Sequence, residues 1–222
     1  MDDPALDDAA HHAALVGLRR INRFSLGGHV LWKAIEQRAR QSPRPIRVLD
    51  IATGGGDGIT ALARRAATLG RKIEWHACDI SERALEFAAQ HATDRGVDNI
   101  RFFCLNALED QIPGDFDVIM CSLFLHHLPE QDAETLLRRM GAATVGCVLV
   151  NDLRRTRLGY MLAQVGCRLL TRSYVVHTDG PLSVRAAFSD AEVTSLAERA
   201  GLSGSQLIHF WPQRFLLSWS RS

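Results

Sequence analysis

Lysine is nearly missing from this 222-residue sequence, with Lys33 and Lys72 the only two. The other basic residues are arginine, and they nearly balance the acids to leave a formal net charge of +1. Bulk electrostatic attraction to nucleic acid or to anionic lipid is therefore not what organises the chain. The densest arginine group, Arg154, Arg155, Arg157, Arg168 and Arg172, reads as a solvated helix face rather than an RNA surface. Also lacking is any apolar run of the roughly 18 residues that a membrane-spanning helix needs. The opening MDDPALDDAA is acidic and has none of the basic-then-apolar layout of a secretory signal, so a cytoplasmic location is expected. The five cysteines, Cys78, Cys104, Cys121, Cys147 and Cys167, are odd in number, scattered, and form no C-x-x-C pair. That pattern argues against a zinc ribbon, a redox centre and a disulfide framework, and predicts reduced core thiols and no metal site.

What is present is an alternation of two periodicities. Apolar runs at 46–51 (IRVLDI), 72–78 (KIEWHAC), 100–105 (IRFFCL), 116–121 (FDVIMC) and 146–151 (GCVLVN) read as strands buried on both faces. Helical patterns lie between them at 57–69, at 82–95 after Ser81 as N-cap, and at 129–140 from Pro129. Near the end, Ser189-x-x-Glu192 is a capping box opening a helix that stops at Gly201. Two further strands, QLIHF (206–210) and RFLLSWS (214–220), are separated only by Trp211-Pro212-Gln213, a spacing that predicts an antiparallel hairpin. The expected fold is α/β, a doubly wound, mostly parallel seven-stranded sheet ending in that hairpin. One domain over 1–222 is expected, with 1–45 as an N-terminal helical cap and 154–188 as a helical lid insertion.

The stretch VLDIATGGGDG (48–58) crowds four glycines between a strand and a helix. A phosphate-cradling P-loop would end in Gly-Lys-Ser/Thr, but this loop ends Asp57-Gly58-Ile59. A dinucleotide loop, G-x-G-x-x-G, would need a third glycine where Ile59 stands. Asp57 at the helix mouth would also repel a pyrophosphate. The ligand that suits such a loop comes close to the backbone, carries an amino group that favours carboxylates, and has a ribose without a phosphate. S-adenosylmethionine fits.

With these residues in view, the sequence resembles the class I S-adenosylmethionine-dependent methyltransferases. The resemblance rests on the glycine loop, Asp79 after the second strand, Asn106-Ala107 after the third, FDVIMCSLFLHHLP at and after the fourth, and the terminal hairpin. It covers about 46–153 and 189–221, and departs from the usual pattern where Asn106 replaces the commoner aspartate. It implies S-adenosylmethionine as cofactor. Gly54 and Gly56 would let the backbone approach its amino-acid moiety, with Asp50 near the ammonium and Asp57 at the helix mouth. Asp79 would take both ribose hydroxyls, Ile80 and Ala107 would flank the adenine beside Asn106, and Ser122 and Leu123 would face the methionine end. Asp50 and Asp79 could instead merely cap strand ends.

His126 and His127 follow the fourth strand, and Asn151-Asp152 ends the fifth, so all arrive at one edge of the sheet. Methyl transfer to oxygen needs positioning and a base, and histidine suits neutral pH. Asp152 could orient the imidazole, an arrangement that resembles small-molecule O-methyltransferases of sugar and natural-product pathways. Packing at a helix start is the alternative reading of the two histidines. The acceptor site is expected from the segments outside the common core. Residues 5–40 show helical patterns broken at Ser25–Gly28, and 154–188 contain the apolar helix GYMLAQVGCRLL followed by a polar loop, HTDGPLS. Tyr160, Met161, Arg185 and Phe188 are the candidate acceptor contacts, and His177 is a further candidate base. Such an apolar lid suits a small hydrophobic or aromatic acceptor, or else a homodimer surface. The rivals are a methyltransferase acting on RNA or protein, which this chain approaches without an Asp/Asn-Pro-Pro-Tyr stretch or a basic extension, and a nicotinamide-dependent oxidoreductase.

Overall fold

The computed structural model describes residues 27–171 and 174–221. The first element, α1 (Gly27–Gln41), opens inside the predicted Ser25–Gly28 break and buries Leu31, Trp32 and Ile35, one helical stripe. The rest of the expected N-terminal cap, residues 1–26, lies outside the described residues. There follow β1 (Ile46–Ile51), α2 (Asp57–Thr68), β2 (Ile73–Asp79), α3 (Glu82–Asp94), β3 (Ile100–Cys104), β4 (Phe116–Ser122), a 3-10 turn (Leu125–His127), α4 (Glu130–Ala143) and β5 (Thr144–Leu153). The chain continues through α5 (Arg157–Leu170), α6 (Tyr174–Ala186), α7 (Asp190–Arg199), β6 (Gln206–Phe210) and β7 (Arg214–Ser220).

The seven strands form one sheet in the order β3-β2-β1-β4-β5-β7-β6. The first five run parallel, and β7 is antiparallel to both β5 and β6. Continuously apolar sequence marks the strands that end up central: β1, β4 and β5 are buried along nearly their whole length. The edge strands β3 and β6 are only partly covered. Each face of the sheet carries its own core. On one, Leu136, Leu137 and Met140 of α4 and Val193, Leu196 and Ala197 of α7 pack with Val148, Val150 and Phe215. On the other, Leu31, Trp32 and Ile35 of α1 and Ile59, Leu62 and Ala63 of α2 pack with Val48, Val118 and Leu149. Trp32 and Ile35 are fully buried, worth roughly 1.5–3 kcal/mol each by transfer.

The expected caps are in place. Ser81 accepts a hydrogen bond from Ala84 N, and Ser189 with Glu192 completes the capping box of α7. Two expectations need correction. The stretch HTDGPLS is not a polar loop but part of α6, whose Pro181 sits inside the helix; α6 packs along α5 and against the 3-10 turn, and those contacts outweigh local turn propensity. Cysteines are not all core residues, because Cys104, on the sheet edge, is exposed while the other four are buried. Burial pushes the thiols of Cys78 and Cys147 up, to about 12 and about 11, which keeps them protonated. Among the described residues no helix is long and apolar enough to cross a membrane.

Candidate active site

The strand order reverses between β1 and β4, and open α/β sheets hold ligands outside the carboxyl ends at such a point. Three sets of residues converge there. The first is the glycine loop. Its backbone turns through positive φ at Ala52, Gly54 and Gly56, and Gly56 N donates to Thr53 O at 3.0 Å before α2 begins. The two glycines have different reasons. A Cβ on Gly56 would stand 2.8 Å from Ala88 Cβ, so this position is set by the packing of the loop on α3. A Cβ on Gly54 would meet nothing within 4 Å, leaving the loop open on that side.

Two carboxylates brace the loop. Asp79, the last residue of β2, accepts from Gly54 N at 2.8 Å and from Ser81 N at 3.0 Å, one bond on each oxygen. The strand-end capping reading thus describes part of what Asp79 does, while each oxygen keeps further acceptor capacity. Asp50 is buried, and Thr53 Oγ1 donates to its Oδ2 at 2.8 Å. Burial pushes the Asp50 carboxyl up to about 7, against the pull of the Thr53 hydroxyl and with a further push from the Asp79 charge. A buried carboxyl held this far from its ordinary range suits a cationic ligand group, since an ammonium would restore the ionised form. Asp57 lies at the start of α2 with its Oδ1 3.1 Å from His91 Nε2 on α3.

On the adenine side the expected residues divide. Ile80, beside Asp79, is 67% exposed, an unusual state for isoleucine and an apolar surface next to the loop. Ala107 is instead buried with the core. Asn106 spends its side-chain oxygen on Leu108 N at 3.1 Å, and its backbone N donates to Asp110 Oδ2 at 2.8 Å. After β4, Leu123 takes a positive φ and donates its N–H to Asn151 O at 2.8 Å, while Asn151 Nδ2 reaches Ser122 Oγ at 3.4 Å. Gly27 packs so closely on Asn151 that a Cβ would stand 2.9 Å from Nδ2. The N-terminal helix therefore enters the molecule at this same edge.

The third set is a histidine–aspartate pair. His126 Nδ1 lies 2.6 Å from Asp152 Oδ1, and His126 N donates to Asp152 Oδ2 at 3.2 Å. Leu153 N also donates to Oδ1, at 2.6 Å, and both side chains are buried. A carboxylate already accepting two backbone N–H bonds can take a third from Nδ1–H, and in that tautomer of the neutral ring Nε2 is the acceptor nitrogen. The His127 ring lies 4.2 Å from the His126 ring by centroids, and this residue is exposed. His177, on α6, has its Nε2 2.8 Å from Thr171 O, so that nitrogen is engaged within the lid.

The expected lid, 154–188, is fastened at its root. Arg154 makes a two-pronged pair with Asp190 at 2.9 and 2.7 Å, Arg155 pairs with Glu192, and Thr156 Oγ1 donates to Gln213 Oε1 at 2.9 Å. Part of the arginine group is thus tied to the first turn of α7 rather than solvated. Beyond the root, Met161 is exposed, Tyr160 Oη accepts from Gln164 Nε2 at 2.9 Å, and Arg185 is exposed. Phe188 packs against the main core. Among the described residues no cluster of three or more histidine, cysteine or acidic side chains is placed to hold a metal. Thr53 was not anticipated as a site residue, although a hydroxyl three residues past the acid near the end of β1 was a signal for it.

Residues 48–145 match the family described as "Methyltransferase domain". The chain is 33% identical over 128 residues to the ubiquinone biosynthesis O-methyltransferase of Methylococcus capsulatus, covering 57% of this chain and 51% of that protein. It is 28% identical over 204 residues to the protein of the same name from Chromobacterium violaceum, covering 82% of each. It spans about half the length of several of the curated relatives it matches. Among solved structures, the magnesium protoporphyrin IX methyltransferase of Synechocystis PCC 6803 with bound S-adenosylhomocysteine shares the fold, with a TM-score of 0.62 at 16% identity over 99% of this chain and 90% of that one. Over residues 48–145 the chain carries a methyltransferase domain, and its sheet order and its glycine loop with two carboxylates resemble those of the class I S-adenosylmethionine-dependent methyltransferases.

Proposed function

We propose that this protein transfers a methyl group from S-adenosylmethionine to a hydroxyl oxygen of a small apolar or aromatic acceptor. The observation that carries this reading is the buried pair of His126 and Asp152, joined at 2.6 Å at the carboxyl edge beside the glycine loop. When bound, the cofactor supplies a methyl group activated by a sulfonium. Asp50 would lie near its ammonium and Asp79 would accept from its ribose hydroxyls, using the oxygen capacity left beside the Gly54 and Ser81 bonds. Gly54 gives open backbone on that side, Ile80 offers an apolar surface for the adenine, and Ser122 and Leu123 line the methionine end.

His126 serves as the base. Its Nε2 takes the proton of the acceptor hydroxyl as the oxygen attacks, and Asp152 holds the ring in the tautomer that allows this and balances the imidazolium that forms. The lid, 154–188, and the N-terminal cap would form the acceptor pocket. The packing of α6 on the histidine turn and the entry of α1 beside Asn151 support that placement. The relatives' role in ubiquinone biosynthesis puts hydroxylated quinones and phenols first among acceptors to test, with polyketides next. The experiment is a methyl-transfer screen against these classes, read by mass spectrometry for a gain of one methyl and for its position. Methylation of a hydroxyl supports the proposal. Methylation confined to nitrogen or carbon, or only of RNA or protein added to the same screen, overturns it.

A further inference from the structure

The helix α5 turns its small residues inward and its large apolar ones out. On the inward side Gly159 and Cys167 are buried, with Ala163 and Gly166 half-buried. Cys167 lies so close to α6 that a Cβ on Gly180 would run into its Sγ. On the outward side Leu158, Met161, Val165 and Leu169 are between 53% and 78% exposed, and their three- and four-residue steps line them up as one stripe. Arg157 and Arg168, about three turns apart, share one flank of that stripe, and both are exposed. No acidic residue lies on α5. The near-neutral charge of the whole chain hides a local excess, since residues 157–186 carry four arginines and Asp179 as their one acid.

An exposed apolar stripe of this kind asks for a partner. A second copy of the chain fits poorly. With 14 residues α5 is about 21 Å long, so a stripe about 10 Å wide offers about 200 Å². Doubling that for Tyr174 and Leu182, the exposed apolar side chains of α6, still leaves about half of the roughly 800 Å² per partner that a stable interface buries. Two stripes face to face would also bring the arginine rows together with no acid on α5 to answer them. An apolar stripe flanked by guanidinium groups suits a helix lying in the plane of a membrane surface, its apolar side at the acyl boundary and its cations at the phosphates. We propose that α5 seats this protein on an anionic lipid surface, with Leu158, Met161, Val165 and Leu169 at the acyl boundary and Arg157 and Arg168 at the headgroup phosphates. The contact needs no spanning helix. The expected lid would then face the layer in which an apolar acceptor dissolves, a consequence that rests on the proposed function, whereas the surface itself does not.

The test is co-sedimentation of the full-length protein with vesicles of phosphatidylcholine, alone or with about one-third phosphatidylglycerol. The protein should pellet with the anionic vesicles and far less with the neutral ones, and the difference should shrink at about 0.5 M salt. Val165→Ser combined with Leu169→Ser should lower partitioning at least about tenfold. Arg157→Gln combined with Arg168→Gln should lower it about thirtyfold, the loss expected for two cations at the headgroups. All four side chains are exposed, so both variants keep the core; should the serine pair fail to fold, the arginine pair decides alone. Wild-type protein that stays in the supernatant with anionic vesicles, or a folded variant of either kind that pellets as the wild type does, overturns the inference. So does a wild-type dimer in the ultracentrifuge that V165S/L169S turns into a monomer, since a second copy would then cover the stripe. Sedimentation is read with no acceptor present. A protein that methylates a hydroxyl yet ignores vesicles loses the lipid surface and keeps the function; one that binds vesicles and methylates no hydroxyl does the reverse.

Discussion

The two halves of the carboxyl edge are built on different principles. The cofactor half, from β1 to the end of β4, is fixed by backbone: positive φ at Ala52, Gly54, Gly56 and Leu123, and carboxylates that bond to loop N–H groups. The lid half is fixed mainly at its root, by the Arg154–Asp190 and Arg155–Glu192 pairs, and then presents apolar side chains outward. Leu158, Met161, Val165 and Leu169, spaced along one face of α5, are all at least half exposed, Leu169 at 78%. One half is held by hydrogen bonds to its own backbone. The other offers a surface whose shape answers to an apolar partner, which suits a cofactor common to many enzymes beside an acceptor that differs among them.

The largest effect should come where the halves meet. His126→Gln removes the proposed base but leaves the glycine loop alone, so turnover should fall about a hundredfold to ten-thousandfold while affinity for S-adenosylhomocysteine barely moves. Asp152→Asn should fall in the same direction, because an amide neither balances the imidazolium as well nor enforces the same tautomer. Steady-state rates paired with calorimetry separate the two readouts. Retained turnover in H126Q would move the base elsewhere, and His177, whose Nδ1 is the nitrogen not facing Thr171, becomes the next residue to replace.

Next in size is the converse variant. Asp79→Ala should remove the two proposed bonds to ribose and loosen the loop at Gly54 and Ser81, costing on the order of 2–3 kcal/mol, about a hundredfold in cofactor affinity. Turnover at saturating cofactor should change much less. Unchanged affinity by calorimetry would reduce Asp79 to a strand-end cap and blur the division between the halves.

Gly56→Ala probes the loop directly. The added Cβ meets Ala88 Cβ at 2.8 Å and its Cα at 3.1 Å, on a residue whose φ is +71. Neither helix backbone nor loop yields easily, so denaturant unfolding should show a loss of about 1–3 kcal/mol. Gly54→Ala shares the positive φ but not the clash and should lose less. Equal losses would mean that backbone conformation, and not packing on α3, sets both positions.

This contrast also explains what the sequence could tell. Strands, caps and hairpin were legible because each is local: Ser81 caps the next turn, Ser189 reaches Glu192, and three residues between two strands leave only a hairpin. That Asp50, Asp79, His126 and Asp152 would meet at one edge was legible because the strand ends of a parallel sheet bring distant residues together. The lid was not. HTDGPLS reads as a loop by composition, and only its packing on α5 and on the histidine turn makes it helical.

The last prediction concerns pH and the cofactor half alone. Burial holds the Asp50 carboxyl at about 7, whereas an aspartate in the unfolded chain titrates near 3.9. Between those values the folded protein binds a proton that the unfolded chain does not. Its stability without ligand should therefore fall as pH rises from about 4 toward 7 and level off above, and Asp50→Asn should flatten that slope. A ligand ammonium beside Asp50 needs the carboxylate, so affinity for S-adenosylhomocysteine should run the other way. It should climb as pH rises toward 7, by at most about tenfold per unit, and then flatten. Calorimetry at about pH 5.5, 6.5 and 7.5, with D50N as the control lacking the dependence, measures this. Equal wild-type affinity across that range would mean that the ammonium lies away from Asp50, and that the buried acid belongs to the loop and not to the ligand.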